Sequence, residues 1–122
     1  MPRYWAASPM LGAAAALLLT FAAVSHAGVI RCPPDAVTMV DSGWRAYRAD
    51  SIEVAAERFA RADRMCPSAI DARVGLGFAW LRLGVPASAE SLFAVVVATD
   101  SACADGWQGL MFAARRTGHD AT

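Results

Sequence analysis

The chain has 122 residues, enough for one small domain, and its 57% hydrophobic content is swollen by the N-terminus. Eleven basic and eleven acidic side chains cancel, and every one of the basic ones is arginine. A balanced charge argues against a nucleic-acid partner, which would need a basic face.

Met1 to Ala27 carries Arg3, an apolar run from Met10 to Val24, and then Ser25-His26-Ala27. A charged start, an apolar core and a small-x-small end describe a secretory signal peptide. The run falls short of the ~20 residues a membrane-spanning helix needs. Cleavage is expected after Ala27, giving a periplasmic or secreted protein that starts at Gly28, with no stable membrane insertion afterwards. The alternative is an uncleaved N-terminal anchor. Residues 28–34 read as an extended lead-in, because the residue before a proline avoids helix and Cys32-Pro33-Pro34 holds two prolines.

Asp35 is a candidate N-cap for a first helix to about Arg48, with Val37, Val40, Trp44 and Tyr47 along one side. Asp50-Ser51-Ile52-Glu53 reads as a capping box opening a second helix to about Met65, which Pro67 ends. Its apolar stripe is Ile52, Ala55, Ala56, Phe59 and Ala62; Asp50, Glu53, Glu57 and Asp63 are placed to meet Arg58, Arg61 and Arg64 on the outer face. Ser68-Ala69-Ile70-Asp71 starts a third helix to about Leu83, stopped by Gly84. Pro86 suits the first turn of a fourth, running to about Thr99, and Ser101 is a candidate cap for a fifth ending near Gly118. Val95-Val96-Val97 leans toward strand but lies within a helical period. The expected fold is all-α, in antiparallel hairpins with short turns.

The pattern also repeats. A step of 34 residues carries Gly43 to Gly77, Trp44 to Phe78, Ala55 to Ala89, Phe59 to Phe93 and Ala62 to Val96. The same step carries Gly75-Leu76 to Gly109-Leu110, Phe78 to Phe112 and Gly84 to Gly118. With Arg73, Leu76, Gly77 and Trp80 on one helix and Ala55, Phe59, Ala62 and Pro67 on another, the stretch from Pro34 onward resembles the tetratricopeptide repeat (TPR) family. The resemblance implies a short TPR-like solenoid of about two and a half repeats over residues 35–122. The second helix of the third unit is missing, so Trp107, Leu110, Met111 and Ala114 are expected to be covered by helix four alone and to favour self-association.

In that family the first helices of the hairpins line a concave groove. Carried over, the resemblance gives Trp44, Tyr47 and Arg48, then Phe78, Leu81 and Arg82, then Phe112, Arg115 and Arg116 as partner-binding residues. The aromatic row beside the arginine row suits an extended or helical peptide with apolar anchors and acidic groups. Cys32, Cys66 and Cys103 all fall on one edge of the stack, where an exported chain can form a disulfide, with the pairing open. Equivalent atoms of adjacent repeats lie ~8–10 Å apart, beyond the ~7 Å reach of a bridge, so any bridge needs a displaced partner, either Cys32 on the lead-in or Cys103, which is shifted from the equivalent place. No catalytic, metal-binding or cofactor motif is present, and removal of the signal leaves His119 as the one histidine. The expectation is therefore an exported protein-interaction module without catalysis; the alternative is the N-terminal accessory or scaffold segment of a larger exported enzyme or envelope assembly factor.

Overall fold

A computed structural model of the chain describes residues 31–119. The expected signal peptide, its cleavage point and residues 28–30 of the lead-in lie outside the described residues. Those residues hold five helices and no strand: α1 (Pro34–Arg48), α2 (Ile52–Met65), α3 (Ile70–Arg82), α4 (Pro86–Thr99) and α5 (Ala104–Thr117). The turns between them span only a few residues, so each helix packs back on its predecessor. Contacts also join α1 to α3 and α3 to α5, whereas α2 and α4 touch only their neighbours in sequence. The odd-numbered helices thus form one row and the even-numbered helices the other.

The helix bounds match the sequence expectation within a residue or two, but the caps do not. No helix opens on a side-chain cap hydrogen bond. Asp35 lies inside α1, which begins with Pro34 at a position that needs no amide hydrogen. The residues assigned to caps are engaged elsewhere. Asp50 pairs with Arg82, and the Ser68 hydroxyl lies 3.3 Å from the Cys66 sulfur. The turn before α5 is organised by the Asp100 carboxylate, which accepts from the Ala102 amide at 3.0 Å, while the Ser101 carbonyl accepts from Trp107 Nε1.

Helix ends are where the period is clearest. Asp50, Gly84 and Gly118 adopt left-handed backbone with φ of 62°, 79° and 80°. The next amide in each case reaches back to a helix carbonyl: Ser51 to Ala46, Val85 to Trp80 and His119 to Ala114, at 2.9 Å each. This wrap satisfies carbonyls the helix leaves orphaned. The other two helix ends, Cys66 and Asp100, share an extended conformation instead.

The interior is built on two aromatic slots. The ring of Phe59, on α2, is fully buried between Gly43 of α1 and Gly75 of α3; that of Phe93, on α4, is buried between Gly77 of α3 and Gly109 of α5. Trp44 meets Phe59 edge-on at 4.9 Å, and Phe78 meets Phe93 likewise at 5.1 Å. Burying such a ring is worth roughly 1.5–3 kcal/mol, and an edge-to-face pair adds about 0.5–1.5 kcal/mol. Ala55 and Ala89 are completely buried at the equivalent contacts on α2 and α4. Trp80 packs against both clusters and joins them into one core.

Polar ties between helices differ from the expected α2 face. Asp63 accepts from Arg73 of α3 at 2.8 Å, and Arg58 donates to the Ser42 carbonyl of α1 at 3.2 Å, so neither spends itself along α2. The end of α5 is tied to α4 through Glu90, which accepts from the Thr117 hydroxyl and lies 3.1 Å from His119 Nδ1. Thr117 first, and His119 after it, hold the Glu90 carboxyl below its ordinary value. A group made more acidic by folding stabilises the fold above its unfolded pKa, about 4.3 for a glutamate, and loses that contribution as pH falls through the lower folded value. Thermal melts between pH 7 and pH 3 should therefore show a weaker acid dependence in Glu90→Gln than in the unmodified chain. Parallel curves would count against the tie.

Candidate functional site

The row made by α1, α3 and α5 presents a shallow face whose floor is set by the repeat. Tyr47, Phe78, Leu81, Arg82, Phe112 and Arg116 line one open hollow of about 300 Å³. Six of the nine residues expected to bind a partner thus come together. Trp44 and Arg48 border an adjoining hollow with Thr38, Asp41 and Arg45. Arg115 is exposed on α5, outside both of these linings.

Two of these residues differ from their expected role. Leu81 is only 6% exposed and belongs to the core with Ala89, Phe93 and Ala113; it closes the floor of the hollow instead of standing free. Trp44 is half-buried against Phe59 and Tyr47, so only part of its ring is open to a partner. Phe112, 39% exposed, is the most open of the three aromatics.

The arginine row is not a uniform set of free cations. The Arg82 guanidinium sits 5.3 Å from the centre of the Tyr47 ring and pairs with Asp50. Tyr47 and then Asp50 push its pKa above the already high ordinary value, so it stays charged. Arg116 donates to the Leu81 carbonyl at 2.8 Å and thereby caps the last turn of α3, where the helix dipole favours a cation. Arg48 is exposed and borders the adjoining hollow with Trp44. Cationic character remains, since a guanidinium has five donors and these contacts use few of them.

The same face has a second pole, where the repeat register also sets Val40, Trp44, Asp71, Val74 and Asp105. Val40, Asp41, Trp44, Asp71, Val74, Cys103 and Asp105 line another hollow, near the opposite ends of the same three helices. Asp71 and Asp105 are separated by the 34-residue step, a signal present in the sequence; Asp41 and Cys103 obey no repeat. Among the described residues no group of three His, Cys, Asp or Glu side chains is disposed to hold a metal ion.

Cys32 and Cys66 form a disulfide with their Cα atoms 5.5 Å apart, and Cys103 is free and half-buried. The extended lead-in before α1 makes this geometry accessible, because Cys32 lies off the helix whose regular spacing would hold it too far away. The bridge ties the start of α1 to the turn between α2 and α3. No helix among the described residues is long and apolar enough to cross a membrane. Comparison with protein-family models, with curated proteins and with solved structures returns no match.

Proposed function

We propose that the chain is an exported repeat protein of the tetratricopeptide kind, which binds a protein or peptide partner along the face of α1, α3 and α5 and performs no chemistry itself. The observation that carries this reading is the hollow of Tyr47, Phe78, Leu81, Arg82, Phe112 and Arg116. Its position on successive odd-numbered helices is what a stacked-hairpin solenoid would use for binding. The 34-residue recurrence of left-handed turns and of the glycine–phenylalanine slots supports the solenoid. The disulfide supports export, since such bridges persist in oxidising compartments.

The partner in this reading is a segment that lays apolar side chains on Phe78 and Phe112 and carboxylates toward Arg48 and Arg82. Arg48 and Phe112 are exposed, so they can be altered with little effect on the core. Capture from the source cell's envelope fraction, followed by quantitative mass spectrometry, should recover a protein with the unmodified chain. Recovery should fall at least about tenfold with the double variant Arg48→Glu, Phe112→Ala, equivalent to about 1.4 kcal/mol. A captured set unchanged by that variant would remove this face from consideration.

A further inference from the structure

The face of α5 that points away from α3 and α4 has a different composition from the corresponding faces of α1 and α3. Gly43 and Gly77 leave the slots into which Phe59 and Phe93 insert. The place 34 residues beyond Gly77 holds Met111, which is 45% exposed. The place 34 residues beyond the buried Leu81 holds Arg115, which is exposed. A further helix of the same kind would find its ring slot filled by a methionine and its apolar neighbour replaced by a guanidinium. Leu110 is not part of the open patch, because it packs on the cluster around Phe93. What remains is Trp107, 50% exposed, with Met111 and Arg115, spaced four residues apart and therefore on one helical face.

This pattern is complementary to itself. We propose that α5 packs against α5 of a second copy, antiparallel, about a twofold axis through Met111. That axis sets Met111 against the partner's Met111 and brings Trp107 over the partner's Arg115, twice by symmetry. Guanidinium over indole is a favourable cation–π arrangement, and the flexible methionines fill the centre. The indole N–H is already satisfied by the Ser101 carbonyl at 2.9 Å, which steadies the ring and leaves its remaining polar demand at zero. Antiparallel helices also place opposite ends of their dipoles together. This face is distinct from the groove, so dimer formation leaves the proposed binding surface open.

One helix per partner makes an interface at the small end of the range, below about 1,200 Å² in total, so association in the micromolar range is expected. Sedimentation of the full chain at tens of micromolar should show a dimer, and Trp107→Glu should weaken association at least tenfold. A geometric test uses cysteines in a Cys103→Ser background. Met111→Cys sits on the axis and should give a covalent dimer on mild oxidation, whereas Val54→Cys, exposed on α2, should not. An unmodified chain that stays monomeric at about 100 µM, well above the micromolar range expected for so small an interface, or cross-linking that is equal at both positions, overturns the proposal.

Discussion

Gly75→Ala is expected to be among the most destabilising single-methyl changes the chain can suffer. A Cβ at this position would fall 2.4 Å from the Phe59 ring, well inside any contact real side chains make. The ring cannot retreat, because its other face lies against Gly43, where a Cβ would fall at 2.7 Å. α3 cannot retreat either, since it contacts all four other helices. Overpacking of this kind costs roughly 1–3 kcal/mol and sometimes more, against which alanine's better helix propensity returns about 1 kcal/mol. The balance is a net loss of about 1 kcal/mol, and a change of that size moves the melting temperature of so small a domain by roughly 4–8 °C, so a fall of that order is expected. Phe59→Leu in the Gly75→Ala background should recover part of the loss, because the two changes share one slot. A variant that melts with the unmodified chain would show that ring and glycine are not in contact.

Loss of the Cys32–Cys66 bridge should produce a larger effect by a different route. The bridged cysteines are 34 residues apart and enclose α1 and α2. In the chain-entropy account, freeing a loop of that length costs about 3.5–4 kcal/mol. Cys32→Ala should melt well below the unmodified chain, and reductant should lower the unmodified chain to nearly the same temperature while leaving the variant alone. Cys103→Ser should behave as the unmodified chain under both conditions. If reductant does not move the melting temperature, the bridge contributes nothing to stability.

The two slots were legible in the sequence because each needs one residue type at each of three places, and a 34-residue step reproduces all three: Gly43, Phe59 and Gly75, then Gly77, Phe93 and Gly109. Size alone specifies such contacts. The caps were not legible. Ser, Asp and Asn near a helix start have several competing partners: Asp50 is taken by Arg82 of another helix, and Ser68 by Cys66 within its own turn. The same limit applied to the candidate site. Its aromatics followed the period, but the partners that restrain Arg82 and Arg116 are a carboxylate and a carbonyl, and neither marks itself in a helical pattern. Pairing of the cysteines depended on the path of the lead-in, which spacing does not determine.

The helix contacts have a mechanical consequence. Each helix rests on neighbours one or two places away, and α1 and α5 do not touch. The two end helices therefore share no contact, and separation from either end sacrifices only local contacts. At one end, opening must also extend a closed covalent loop, because Cys32 is stapled to Cys66. At the other, α5 is held by α3, α4 and the few polar ties of Arg116, Glu90 and Thr117. The molecule is arranged as a zipper with one sewn end: thermal fraying is expected to start at α5 and travel toward the bridge, so that the far end of the groove, at Phe112, opens before the end at Trp44.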